Sequence, residues 1–366
     1  MENDYIAGFG EVMLRLAPMG KQRFAQALPG VMEATFGGGE ANVCASLAIL
    51  GARCRYLTAL PCNPVSHAFA AQMRGLGVDV DHILYRPGGR MGVYYTESGA
   101  AQRSSNVIYD REHSVISECS PDDYDFPEML KNTGHLHLSG ITPALSEKAF
   151  HSTLAIAEFA ARHGSRISCD LNFRKKLWNW KAGRLPNELA EDCMKRIAAY
   201  ADIIIGNEED ASEVFGISAE GSSVENGKID VGGYSEVARK LGERFPKSSW
   251  IAITLRESRS ADHNNWGGML YEKASGRTFF APLNQAGEYS PYEIHDIVDR
   301  FGGGDSFCAG LIFALSDNDY STPAEAIRFA VAASCLKHSV KGDYSYITKS
   351  EVVALMNGNA SGRVRR

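Results

Sequence analysis

Ile297-Val298-Asp299-Arg300-Phe301-Gly302-Gly303-Gly304-Asp305-Ser306-Phe307-Cys308-Ala309-Gly310-Leu311 leads from a short apolar segment through three glycines into a helical pattern. Past the glycines, Phe307, Leu311 and Ala314 fall on one face of a helix, so the glycine run marks its N-terminus. Free N–H groups and the positive end of the helix dipole favour an anion there, and glycine lets the backbone come close to it. The carboxylate of Asp305 at that place has two readings. It caps the helix, or it accepts a proton. Transfer of a phosphoryl group to a hydroxyl uses both parts of such a motif: donors aimed at the charge on the group, and a base for the hydroxyl proton. The four residues alone do not choose.

Outward from this stretch the chain alternates. Residues 251–254, 203–205, 167–170 and 135–138 are short, mostly apolar runs of strand length, set among helical stretches such as 147–163 and 234–245. Strands alternating with helices predict βαβ units and a mainly parallel sheet, whose ligands bind beyond the carboxyl ends of the strands. At the other end, residues 5–9 suit a first buried strand ending in Gly10-Glu11. Val12, Leu14 and Leu16 then alternate with Met13, Arg15 and Ala17, the period of an amphipathic strand with one wet face. Pro18, Gly20, Pro29 and Gly30 break the chain into hairpin-like strands as far as Phe36. Gly37-Gly38-Gly39 precedes a helix with Val43, Leu47 and Leu50 on one face and Gly51 as its C-cap. Residues 54–60 read as a strand, 67–76 as a helix closed by Gly77, and 83–116 as a second β-rich insertion. Residues 218–233 read as a surface loop and 357–366 as a polar, basic tail that frays.

The bulk numbers bound the function classes. The 366 residues carry a formal net charge of −6 with both signs interspersed, which lacks the basic face of a nucleic-acid binder. No stretch approaches the length of a membrane span, and the acidic N-terminus does not read as a secretory signal. The 8 cysteines form no C-x-x-C pair and read as reduced, buried thiols, so the expectation is a soluble cytoplasmic protein. There is no G-x-x-x-x-G-K-[ST] run. Gly8-Phe9-Gly10 lacks the third glycine of a dinucleotide fingerprint, Met13 standing in its place. His135 and His137 alternate on a strand without a third partner and read as buried, hydrogen-bonded histidines rather than metal ligands. Trp178 and Trp180 read as loop packing.

D-R-F-G-G-G-D-S-F-C-A-G resembles the G-A-G-D signature of the ribokinase (PfkB-type) carbohydrate kinases. F-G-G-G-E-A-N-V-C-A-S-L-A-I-L-G, around residues 36–51, resembles that family's sugar-side signature. The likeness continues in order through Asp170-Leu171-Asn172-Phe173-Arg174, Gly206-Asn207-Glu208-Glu209-Asp210, the run from Ile253 to Ser258 and the run from Lys337 to Asp343. It implies a ribokinase-like α/β three-layer sandwich, a mainly parallel central sheet flanked by helices, with a small β-sheet lid. The whole of 1–366 would be one kinase domain, with insertions at about 12–36 and 83–116 forming the lid. ATP and Mg2+ are implied as cofactors. Asp305 would be the catalytic base, and Gly302, Gly303 and Gly304 the anion hole and nucleotide contact. Gly303 stands where the family usually has alanine, which preserves close backbone approach. Asn207 and Asp210 fall on the family's N-x-x-E motif, which organises Mg2+ and phosphate through water; Asp210 is one methylene shorter, and Glu209 is the alternative. Thr254 and Arg256 fall on the nucleotide-phosphate stretch, Arg256 replacing its usual glycine.

Within the family the chain is most similar to 2-keto-3-deoxygluconate kinases, through D-L-N-F-R-K-K-L-W, N-V-I-Y-D-R-E-H-S and G-E-V-M-L-R-L. That likeness implies transfer from ATP to the terminal hydroxyl of a sugar acid. Arginine recognises a carboxylate by bidentate, charge-assisted bonds. Arg174, past a strand end, and Arg111, at the end of a lid strand, are the candidates, weighed against ordinary surface salt bridging. Tyr94 and Tyr109 offer hydroxyls and ring faces from the lid. Asn42 could bond a sugar hydroxyl, with Gly38 admitting the backbone, and Glu11 is a weaker candidate for the same work. Asn264-Asn265-Trp266 borders the nucleotide side without an assignable role. The other readings are a fructokinase-like neutral-sugar kinase and a non-catalytic sensor on the same fold. Open edges and apolar faces of a lid sheet lead to the expectation of a homodimer or higher homo-oligomer paired through the lid.

Overall fold

The computed structural model describes residues 4–218 and 231–359. The apolar runs form the expected parallel sheet. Tyr5–Phe9 lies between Thr133–Ser139 and Cys54–Leu57; Arg166–Asp170, Ile203–Gly206 and Trp250–Ser260 follow on one side, and Val78–Asp79 closes the other, all in parallel pairs. Both faces are covered, which is why these strands are continuously apolar rather than alternating. Successive isoleucines make the point: Ile203 and Ile205 pack into one core with helices Gly39–Leu50, Gly303–Ser316 and Pro323–Lys337. Ile204, between them, packs into the other core with Glu147–Arg162 and Pro186–Ala198. Three layers result. Among the described residues no helix is long and apolar enough to cross a membrane.

Three local readings change. The strand read at 54–60 is two strands; Ala59–Pro61 leaves the main sheet to pair with Leu84–Arg86, away from the four-stranded sheet. The strand read at 251–254 runs from Trp250 to Ser260. Its polar second half is satisfied by antiparallel pairing with His263–Glu272, so it needs no apolar face to persist. The loop read at 218–233 lies largely outside the described residues, and Gly232 and Gly233 belong to the helix Val231–Arg244. Most of the tail read at 357–366 also lies outside them.

The small sheet consists of Met32–Gly37, Met13–Pro18, Gly92–Glu97 and Asn106–Asp110 in that order. It stands over the carboxyl ends of the main strands as a lid. Along Met13–Pro18 the alternation turns Met13, Arg15 and Ala17 inward and leaves Leu14 and Leu16 half-buried. An arginine therefore occupies the inner face, because two carboxylates below the lid meet it there. The tip of the long hairpin reaches the lid as well: the Ala261 N–H donates to the Ala101 carbonyl at 2.7 Å, and Lys21 pairs with Asp262 at 3.1 Å.

Candidate active site

One cleft of about 360 Å³ lies between the lid and the carboxyl ends of the strands. Most residues singled out for the site line it: Gly38, Asn42, Tyr94, Tyr109, Arg111, Arg174, Asn207, Asp210, Thr254, Arg256, Gly302, Gly303, Gly304 and Asp305. Glu11, the weaker candidate, and Asn265, which had no role, do not.

The glycine run is built by local backbone demands. Gly302, the N-cap of Gly303–Ser316, has φ +76°, and a Cβ on it would stand 2.1 Å from the Asp343 carbonyl oxygen. Asp305 is not the cap. It is the third residue of the helix, and its Oδ2 accepts a hydrogen bond from Asn42 Nδ2 at 2.7 Å. The capping reading is thereby excluded. Burial pushes the Asp305 carboxyl up to about 6; the Asn42 contact opposes this, Asp343 adds to it, and Arg174 and Lys337 pull it down. The group is thus a carboxylate with raised basicity at neutral pH.

Asn42 opens the other half of the cleft. Its Oδ1 accepts from the Gly38 N–H at 3.3 Å while its amide nitrogen holds Asp305. One N–H of its amide orients the carboxylate, and the second is left for the sugar-hydroxyl contact expected from the sequence. Gly38 is a close-approach position, since a Cβ would stand 2.2 Å from the Glu11 carbonyl oxygen. Arg111 is buried, and its Nε and Nη2 both donate to Glu11 Oε2, the first at 2.7 Å. Ser114 donates to the other Glu11 oxygen. Glu11 is therefore the anchor of Arg111 rather than a hydroxyl contact. Arg174 differs: it is exposed, and its Nη1 only touches the Phe173 carbonyl at 3.1 Å. The Tyr94 hydroxyl donates to Asp343 at 2.6 Å, and its ring stacks near Tyr109.

At the carboxyl end of Ile203–Gly206, Asn207 caps the helix Glu208–Phe215 and accepts from the Asp210 N–H at 2.8 Å. Asp210 returns the bond to the Asn207 N–H at 3.0 Å and accepts from the Phe173 N–H at 2.9 Å. The pair is a capping box first. Burial raises the Asp210 carboxyl, and the two N–H donors hold it back. Arg256 is exposed at the cleft mouth beside Arg300, which precedes the glycine run and has no role legible in the sequence. Burial, and then the Arg256 charge, lowers Arg300. Two cations this close give the mouth a positive potential suited to a polyphosphate.

Several cleft residues had no assignment from sequence. Asp170 is buried on the cleft wall, and burial together with Asp210 and Asp305 raises it well above the usual carboxylate range. Its only signal was membership of the D-L-N-F-R run. Asp343 and His338 come from the K-H-S-V-K-G-D run. Burial lowers His338 to about 4, so it is neutral, its Nδ1 meeting the Ser334 carbonyl at 2.9 Å. Trp266 Nε1 and Asn264 Oδ1 are buried at the cleft wall with no hydrogen-bond partner among the described residues. Unpartnered polar atoms in the residues of a cleft wall fit a site that receives a polar molecule. The donor set also bears on a divalent cation. Among the described residues no three His, Cys, Asp or Glu side chains form a metal cage. The cleft instead offers separate carboxylates on Asp170 and Asp210, which fits a hard cation held mainly by phosphate oxygens and water.

The remaining sequence-singled groups are structural. His135 Nε2 and His137 Nδ1 share the Ser168 hydroxyl at 2.8 and 2.9 Å, and burial lowers both to about 3. Trp178 is buried in the second core.

The profile of the pfkB family carbohydrate kinases matches residues 3–243, more than half of the chain. The crystal structure of 2-dehydro-3-deoxygluconokinase from Thermotoga maritima is 38% identical, covering 97% of this chain and 99% of that one with a TM-score of 0.86. The 2-dehydro-3-deoxygalactonokinase of Haloferax volcanii is 27% identical over 97% of both chains. A structure from E. coli in complex with ATP and Mg2+ shares the fold at 17% identity, with a TM-score of 0.73 over 97% of this chain and 99% of that one.

Proposed function

Because this chain belongs to the pfkB family of carbohydrate kinases, we propose that it transfers the γ-phosphoryl group of ATP to the terminal hydroxyl of 2-keto-3-deoxygluconate. One observation carries the reading: Asp305, basic and held by Asn42 at 2.7 Å, stands where the glycine-opened helix meets the lid-covered half of the cleft. In this reading Gly302, Gly303 and Gly304 direct backbone N–H groups at the oxygens of the transferring group. Asp305 takes the hydroxyl proton as the O–P bond forms, and ADP leaves. Arg111, oriented by Glu11, and Arg174 bind the carboxylate of the sugar acid at the opposite end. Arg256 and Arg300 receive the phosphate chain, with Trp266 and Asn264 as further polar contacts. The lid excludes water, the competing acceptor. Mg2+, bound with ATP, supplies neutralisation of the phosphate charge, and Asp210 and Asp170 would hold it through water.

The sugar-acid reading draws support from two cleft arginines and from the Thermotoga maritima relative. The Haloferax volcanii relative favours a second substrate, the C4 epimer 2-keto-3-deoxygalactonate. A coupled assay of ADP release across both sugar acids, fructose and ribose tests this. The expected order is gluconate first, galactonate second, and neutral sugars at least about 100-fold lower in kcat/KM, the discrimination a buried ion-binding site imposes. Equal turnover of fructose would sink the sugar-acid reading, and ADP release that no acceptor sugar accelerates would sink the kinase reading altogether.

The raised Asp305 carboxyl also fixes an acid limb. The base works only when ionised, so kcat/KM for the sugar should fall about tenfold per pH unit below about pH 6. A limb centred near pH 4 would mean that Asp305 is an ordinary solvated carboxylate and not the base described.

A further inference from the structure

Arg15, on the inner face of the lid strand Met13–Pro18, is 4% exposed. Its Nη1 lies 2.9 Å from Asp299 Oδ2 and 2.9 Å from Asp343 Oδ1. Neither carboxylate belongs to the lid. Asp299 stands three residues before Gly302 and accepts from the Phe301 N–H at 3.2 Å and the Gly342 N–H at 3.0 Å. Asp343 takes the Tyr94 hydroxyl, and its own carbonyl lies directly against Gly302. The Arg15 guanidinium also covers the Phe301 ring at 4.5 Å from its centroid. Lys337, fully buried, completes the group: its Nζ donates to the Val340 carbonyl at 3.0 Å, and its Cε would stand 3.2 Å from a Cβ on Gly302. Burial lowers the Lys337 ammonium, while Asp299 and Asp343 hold it up.

Two cations and two carboxylates are thus packed behind the glycine run, and the lid delivers one of the four. Stability alone is a poor reason for such a cluster, because apolar side chains of similar volume often serve a fold as well. Buried ion pairs of fixed geometry are better at setting register. We propose that Arg15 is a positioning residue of the transfer reaction, a lid-borne guanidinium that joins the closed lid to the support of the Gly302-Gly303-Gly304 anion hole. Lid closure and completion of the hole are then one event. The proposal rests on the kinase reading.

Its loss has two consequences. Without Arg15 the cluster holds two carboxylates against one ammonium, next to the place where phosphates arrive, so ATP binds less well. The lid also loses an anchor on that side and admits water. The γ-phosphoryl group then passes to water, giving ADP and inorganic phosphate in place of ADP and phosphorylated sugar.

The experiment compares the parent with Arg15→Met, Arg15→Lys and Arg15→Met/Asp299→Asn, measuring ADP and sugar phosphate separately. Arg15→Met should raise KM for ATP by about tenfold and the ratio of ADP to sugar phosphate by at least about fivefold, the scale of a lost buried charge contact and an open lid. Arg15→Lys should recover most of the coupling. The double variant should melt later than Arg15→Met, because one buried carboxylate is gone, yet remain uncoupled. An unchanged product ratio in a folded Arg15→Met, or full recovery in the double variant, overturns the proposal. Amide exchange of the unliganded chain supplies a readout independent of activity: protection should fall together in Met13–Pro18 and in residues 301–306. A fall confined to the lid strand overturns it too. A parent without sugar-dependent turnover defeats the kinase reading, whereas the exchange result still decides whether lid and glycine run are coupled.

Discussion

Asp305→Asn should lower kcat by about 10²- to 10⁴-fold, the contribution of a positioned general base, while KM for either substrate moves by less than about threefold. The substitution keeps shape and leaves an oxygen to accept from Asn42, so the geometry at the start of Gly303–Ser316 survives. It removes only the group that takes the proton. The stability side has a definite sign. The Asp305 carboxyl is raised in the folded state to about 6. A raised carboxyl opposes folding above its unfolded value, with the loss growing as pH climbs toward the folded value and persisting beyond it. At pH 7 to 8 the neutral amide should therefore melt no earlier than the parent. Initial rates with both substrates, together with thermal melts, separate the outcomes. Parent-like turnover sinks the base assignment. A low rate with an earlier melt points to damage to the fold instead of the chemistry.

That test weighs so much because the motif alone was ambiguous. Gly302-Gly303-Gly304-Asp305 announces a helix start and an anion site, and both features are local, set by glycine geometry and the first free N–H groups. Whether the carboxylate caps or reacts depends on what comes to meet it. What meets it is Asn42, 263 positions away in sequence. No local pattern contains that distance. The parallel sheet was legible for a related reason: covered strands such as Ile203–Gly206 must be apolar on both faces, and a run of isoleucines says so. The lid strand Met13–Pro18 was legible as a strand, but the partner that makes it bury an arginine was not. Asp299 and Asp343 lie on segments far along the chain. Trp266 and Asn264 sat in a recognised stretch without a role, and only the folded hairpin brings them to the cleft wall. Arg111 and Arg174 were legible as arginines near strand ends, but the sequence pattern does not contain the buried Glu11 that sets the surroundings of one apart from the other.

Those surroundings give the second large effect. Arg174 is exposed and lightly held, so Arg174→Ala should raise KM for the sugar acid by about 30- to 100-fold, the cost of truncating a charge-assisted contact, with the melting temperature lowered only slightly as its charge is withdrawn from Asp170, Asp210 and Asp305. Arg111 is tied to a buried Glu11, so Arg111→Ala removes a carboxylate contact and also strands a buried charge. Its KM should rise at least as far, and stability should fall by about 3 to 5 kcal/mol, as when one partner of a buried pair is lost. Recognition and stability can be pulled apart. In Arg111→Ala/Glu11→Gln the stranded charge is gone, so much of the stability should return while KM stays high. The methyl ester of the sugar acid gives the complementary control, since it lacks the charge the arginines bind. The parent should discriminate strongly against the ester, and the arginine variants should not. If Arg174→Ala and Arg111→Ala each keep KM within about twofold, the carboxylate is bound elsewhere, and the sugar-acid assignment loses its physical basis while the phosphoryl-transfer assignment at Asp305 stands untouched.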